Sequence, residues 1–335
     1  MVNPSILITG ILALASVALG HGAAETEAGI EARNVHVANA RRSIEACQNK
    51  LKARSIENRR KIKRDAFVKR YQKQNQKRAA TATAVAAATT VDPFNGAIPT
   101  CVLAPEEEIG PYYLSGELIR DDIREDEPGV DMLLDVQVFD VSTCQVIPNV
   151  MLDFWSCNST GVYSGFSAEN TLGETQLRGL VESDEDGIVQ VLTKFPGHYG
   201  GRATHLHLIA HIGGSISSTG TYSGGTIPHI GQVFFEQSLI SEVEATSPYN
   251  TNTVAITLNS VDRVFTEQAS VTAGYSDVVT IKKLGSALSD GLLGAISIGL
   301  DLTANKSTGS GSGTGTGTVT GAGGAPTGGM GAPPS

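Results

Sequence analysis

Between about Val91 and Leu284 the apolar positions of the chain recur at every second residue. In LLDVQVFDV, Leu134, Val136 and Val138 fall on one side while Asp135 and Gln137 fall on the other, the signature of a half-buried strand. IVQVLTKF, THLHLIAHI and GQVFFEQ have the same β-rich texture, and Gly, Asn, Ser and Pro cluster between them. No strand–helix alternation is present, which disfavours a parallel α/β sheet. Many short strands separated by turn signals predict an all-β domain, an antiparallel β-sandwich over residues 91–285.

The flanks read differently. Residues 25–78 lack the two-residue period, and from Arg41 to Arg78 there is no Gly or Pro. Good helix formers dominate, so a helical arm is expected over 21–78. Ile44, Cys47 and Leu51 share a face, but beyond them the apolar stripe is thin, so the arm is expected to pack lightly on the body or to pair with a second copy, leaving a homodimer open. An Ala/Thr linker (79–90) follows, and Lys77-Arg78 before it reads either as a processing site or as a solvated helix end. Residues 286–306, including the apolar Ala287–Leu300 run, read as a docked helix or a linker. Residues 307–335 are Gly, Ser, Thr, Ala and Pro with almost nothing to bury, and are expected to be a disordered tail.

Ile6 to Leu19 is an apolar run too short to span a bilayer and of the right length for the core of a signal peptide over residues 1–20. A secreted, extracellular chain without a transmembrane anchor is expected. Four cysteines then allow disulfides with three connectivities, and Cys101 with Cys144 is the favoured pair. Asn158 (NST) and Asn305 (NKS) are candidate glycosylation sites. The segment Arg41–Arg78 carries a net charge of +12 in a chain of −9, so the rest stands at −21. A basic arm is a common mark of nucleic-acid binding, but an exported chain without a nucleic-acid motif makes that a poor reading, and no nucleic-acid partner is expected.

The chemistry concentrates in PGHYGGRATHLHL, Pro196 to Leu208. On a strand, His205 and His207 point to the same face with Cβ atoms roughly 6–7 Å apart, near enough to share one ion, while Leu206 and Leu208 point the other way. A His-x-His pair is a weak signal by itself, more often structural than not. His198, His211 and His229 are read as structural. Tyr199, in the glycine-rich turn before the strand, and Tyr163, in the loop of NSTGVYSGF, would each most often be packing residues. Together with the two histidines they offer two oxygen and two nitrogen donors. The cysteines lack paired metal spacing, which argues against thiolate zinc or iron–sulfur sites. Phenolate is a hard anionic donor whose parent phenol titrates near about 10, so it needs a strong Lewis acid, and Fe(III) suits it best.

TGVYSGF, PGHYGGRATHLHL and GQVFFEQ, with the segment from GPYYLSGEL to NVMLDFW, resemble the motifs of intradiol ring-cleavage dioxygenases, particularly the secreted fungal branch. The resemblance covers roughly Thr100 to Ser270. It implies one non-haem Fe(III) per catalytic domain, held by Tyr163, Tyr199, His205 and His207. It also implies a catechol-type substrate and O₂. Tyr199 would be the phenolate that leaves the metal and accepts a substrate proton, and Tyr163 the one that stays. Arg202 would stabilise negative charge building on the ring, Gln232 would lie near the second substrate oxygen, and Pro111 and Tyr112 would line the substrate pocket. The product would be a muconate, opened between the two hydroxyls as in catechol 1,2-dioxygenases. Ile109 interrupts the usual acidic-Gly-Pro approach in EEEIGPYY, and a glycan on Asn158 would narrow the mouth. The alternative is a secreted, wall-associated binding protein on a dioxygenase-like scaffold.

Overall fold

A computed structural model describes Cys47 and residues 54–79, 100–101, 109–271 and 276–306. The Ile6–Leu19 run, most of the Ala/Thr linker and the 307–335 tail lie outside these residues. Along the chain come helix α1 (Arg54–Ala79) and strands β1 (Thr100–Cys101), β2 (Asp131–Asp140), β3 (Met151–Trp155), β4 (Arg178–Glu182), β5 (Ile188–Lys194), β6 (His205–Ile212), β7 (Ser215–Ile216), β8 (Tyr222–Ser223) and β9 (Thr226–Phe234). Helices α2 (Gln237–Glu244) and α3 (Arg263–Val271) and strands β10 (Thr280–Lys283) and β11 (Leu292–Leu300) follow.

The strands form two main sheets. One has the order β1-β11-β2-β5 with β10 also on β11; the other has the order β4-β3-β6-β9; β7 and β8 make a small separate hairpin. Their inner faces share one core. Met132, Leu134, Val136 and Val138 of β2 meet Leu152 and Phe154 of β3 and Leu206, Leu208 and Ala210 of β6. Fully burying each Leu or Phe is worth about 1.5–3 kcal/mol, so this shared face dominates the stability of the sandwich.

The β-sandwich expectation is met with one correction. The β4-β3-β6-β9 sheet is antiparallel throughout, but in the other sheet β11 runs parallel to both β1 and β2. The expectation of a helix or linker over 286–306 is also corrected, because Leu292–Leu300 is a strand inside a sheet and every one of its residues is buried. A continuous apolar run of nine residues does not distinguish strand from helix by its period. Its small residues decide the packing: a Cβ on Gly294 would stand 2.9–3.1 Å from the side chains of Val279, Ile281 and Leu134.

The basic arm covers the outer face of the β2-containing sheet. Arg60, Arg64, Phe67 and Tyr71 follow helical spacing along α1, and all four are buried. The stripe looks thin in sequence because half of it is arginine. Phe67 and Tyr71 pack on Leu133, Leu192, Leu293 and Ala295. Arg60 Nε donates to Asp135 Oδ1 at 2.7 Å, and its Nη atoms reach Ser297 Oγ at 2.7 Å and the Ile296 carbonyl at 2.8 Å. Further along, Lys63 sits 2.7 Å from carboxylate oxygens of both Asp184 and Asp186, and Arg59 sits 2.7 Å from Asp186. The excess positive charge of the arm thus meets acids of the same chain, and Asp135 and Gln137 of β2 face α1 rather than solvent.

Cys144 is bonded to Cys47, with the Cα atoms 5.0 Å apart. This corrects the Cys101–Cys144 expectation: each sulfur makes one such bond, and α1 brings the arm to the turn after β2, whereas Cys101 lies on β1 opposite Ile298. Cys157 is a buried free thiol.

Two outcomes follow from this docking. Arg60→Ala leaves the buried Asp135 carboxylate uncompensated, and denaturant unfolding is expected to show a loss of about 3–5 kcal/mol. A specific protease site inserted between Ala79 and Thr100 and then cut should give two bands on a reducing gel and one on a non-reducing gel. Release of the arm without reductant would contradict the Cys47–Cys144 pairing.

Candidate metal centre

Strand β6 separates the core from the site. Leu206 and Leu208 point into the shared core, and His205 and His207 point to the opposite face, as the alternation predicts. Both histidines are 2% exposed, and their Nε2 atoms stand 3.1 Å apart. The Nδ1 of His205 lies 2.6 Å from the Ala203 carbonyl, so that nitrogen carries the proton and the Nε2 lone pair faces the centre. His207 is held by stacking on Trp155, with ring centroids 4.6 Å apart and planes 8° off parallel. Trp155 is also its register partner on β3. Burial, and then the closeness of His205, pushes the His207 pKa well below the usual imidazole value, so this ring is neutral and able to donate a lone pair.

Two loops complete the group. Tyr199 Oη lies 3.3 Å from His205 Nε2, and the rings of Tyr163 and Tyr199 meet edge-on at 5.6 Å. The loops interlock through glycines. A Cβ on Gly161, whose φ is +86°, would stand 2.2 Å from the His198 carbonyl, and one on Gly197 would stand 2.5 Å from that of Asn158. Either side chain would force the two tyrosines apart. The Tyr163 loop is further held by Thr171 Oγ1 donating to the Tyr163 carbonyl at 2.7 Å, and by Arg178, which donates to the Ser164 carbonyl and to Glu117. On the other loop, His198 lies between Glu244 (2.8 Å) and the Val254 carbonyl (2.9 Å), which makes it scaffolding.

Burial raises the Tyr163 pKa well above that of an ordinary phenol and raises that of Tyr199 to about 12. The Tyr163 hydroxyl is buried without a hydrogen-bond partner at standard geometry. Two phenols and two imidazoles lie together here, a set of oxygen and nitrogen donors that suits a strongly charged cation. The residues fit a ferric ion. Among the described residues no cluster of three or more His, Cys, Asp or Glu could hold a metal, so a centre here depends on the tyrosines.

The other expected residues surround this group. Arg202 is buried and donates from Nη2 to Gln232 Oε1 and from Nε to Asp262 at 2.8 Å. Gln232 is the register partner of His207 on β9. Tyr112 stacks on Tyr163 at 4.1 Å, with its hydroxyl 3.1 Å from Glu169. Pro111 is exposed at the turn beside it. Gly110 approaches His207 so closely that a Cβ there would stand 3.3 Å from its Cε1. His211 lies farther along β6, 3.7 Å from Asp153, outside the donor group. Asn158 is half-buried, with Oδ1 accepting from Thr160 and Val162, while Asn305 is exposed. Trp155, Arg178 and Asp262 were not foreseen. Trp155 was legible as the only tryptophan, on a strand-like run; the other two carry no local signal.

A family model described as Dioxygenase matches residues 109–215. The chain is 30% identical to an intradiol ring-cleavage dioxygenase structure from Tetranychus urticae, covering 60% of this chain and 95% of that one with a TM-score of 0.50. A second dioxygenase structure is 28% identical, with 60% and 95% covered and a TM-score of 0.49. The dioxygenase domain of a carbohydrate-binding fusion protein from Streptomyces sp. SirexAA-E is 21% identical, with 59% and 97% covered and a TM-score of 0.39. A search of curated proteins gives no match. With 30% identity over nearly the whole of the Tetranychus urticae dioxygenase, the chain belongs to the intradiol ring-cleavage dioxygenase family.

Proposed function

We propose that this protein is an exported, ferric, catechol 1,2-dioxygenase-like enzyme that opens catechol-type rings between the two hydroxyl-bearing carbons with O₂, giving muconate-type products. The observation that carries the reading is the convergence of Tyr163, Tyr199, His205 and His207, with the two Nε2 atoms 3.1 Å apart. When bound, the ferric ion would supply the Lewis acidity that holds a catechol as its dianion and makes its ring reactive toward O₂.

The protein's own groups do the rest. Tyr199 Oη, beside His205, would be placed to accept a proton from a substrate hydroxyl once a bound ferric ion holds it as phenolate. Tyr163, 1% exposed and locked by its loop, stays in place. The buried Arg202 offers fixed positive charge where negative charge builds on the ring, which a water-poor site makes more effective. Tyr112, flat on Tyr163, supplies an aromatic wall for a planar substrate. Export is supported by the Ile6–Leu19 run, the two sequons and a disulfide, since such bonds persist in oxidising compartments.

Oxygen uptake by the iron-loaded protein against catechol, hydroxyquinol and protocatechuate, with product identification, tests the reading. Stoichiometric O₂ consumption with a muconate product is expected from at least one of them. A protein loaded with ferric iron that cleaves none would exclude it. The loaded protein should also be coloured by tyrosinate-to-iron charge transfer. Tyr163→Phe is expected to remove most of that absorption and lower kcat by at least about 100-fold. Full colour and activity in this variant would remove Tyr163 from the ligand set.

A further inference from the structure

Asp262 lies outside the segment matched by the family model and in no motif, yet it is fully buried where the start of α3 meets the turn carrying Arg202. Its two oxygens face different elements. Oδ1 accepts from the Phe265 N–H at 3.0 Å and so caps α3. Oδ2 accepts from Arg202 Nε at 2.8 Å and from the Ala203 N–H at 2.7 Å. Ala203 in turn offers its carbonyl to His205 Nδ1.

We propose that Asp262 is the positioning residue for Arg202 in ring cleavage, a role that rests on the function proposed above. Guanidinium is a rigid planar fork of donors. Nε directed to Asp262 and Nη2 directed to Gln232 define its plane and leave one orientation of the charge. The same carboxylate oxygen holds the backbone two residues before His205, so the arginine and the start of β6 are set from one point. Asp262 is also the counter-ion that makes it feasible to bury Arg202 at 4% exposure. Burial alone would raise the Asp262 pKa, but the Arg202 charge and the donated N–H groups outweigh it and hold it below the ordinary carboxylate value.

A capping role alone would leave catalysis by folded molecules untouched, and two kinds of variant separate the roles. Asparagine is as good a helix cap as aspartate, but it has one acceptor oxygen and cannot serve Phe265 and Arg202 together. Arg202→Lys keeps the charge and loses the fork. The iron-loaded full chain is compared as wild type, Asp262→Asn, Arg202→Lys and the double variant. The readings are kcat and KM on the best catechol, the dissociation constant of 4-nitrocatechol by calorimetry, and the thermal midpoint.

For Asp262→Asn the proposal expects a lowered midpoint, because buried Arg202 loses its counter-ion, and the kinetics are read below the onset of unfolding. It expects kcat lowered about 10- to 100-fold, with KM and the 4-nitrocatechol dissociation constant raised alike, by about three- to tenfold. The double variant should lose little more than either single one, because both act through one arginine plane. Unchanged kcat in Asp262→Asn, or losses that multiply in the double variant, overturn the proposal. If wild type cleaves no catechol the functional reading fails instead, while the calorimetric cycle still reads whether Asp262 and Arg202 act as one unit.

Discussion

The pleat of β6 is the constraint on which both core and site depend. Successive side chains of a strand alternate faces, so the interval that puts Leu206 and Leu208 into the core puts His205 and His207 on the other side. A slip of one residue would bury two imidazoles among aliphatic side chains and put two leucines into the site. The hydrophobic effect therefore sets the direction of the site: burial of the leucines aims the histidines. Pairing with β3 and β9 then brings Trp155 and Gln232 beside His207 by register alone.

The tyrosines are placed differently, because they lie on loops with no pleat to aim them. Glycines that let backbone pass within contact of backbone and buried side chains that fix the loop ends take its place. Gly161 against His198, Gly197 against Asn158, and Arg178 across the Tyr163 loop do what strand pairing does for the histidines. The two histidines are thus built on a strand and the two tyrosines on loops.

The arm shows how charge can stand in for an apolar stripe. Arg60 and Arg64 occupy positions where a helix normally presents aliphatic side chains, and the sheet beneath α1 offers Asp135 and Gln137 in place of a smooth apolar surface. A buried ion pair contributes little net stability compared with apolar packing, but it admits only one docking position. Basic side chains of α1 and acids of the body thus meet in one intramolecular interface.

The sequence by itself determined the strand pattern, the β-sandwich class, the His205–His207 face and the residues Tyr163, Tyr199, Arg202 and Gln232 as members of one group. The strand pattern and the histidine face are carried by local period, which strand geometry turns into direction in space, whereas the other four residues are joined by the resemblance of their motifs to one family. Only the tertiary structure decided the parallel β11–β2 pairing, the Cys47–Cys144 bond, the docking of α1 and the place of Asp262 beside Arg202. These join segments from 60 to more than 150 residues apart. A nine-residue apolar run that could be helix or strand, a helix face half made of arginine and a lone aspartate before a short helix have no periodic signature. Their partners are chosen by complementarity of shape and charge, which exists only once the chain has closed on itself.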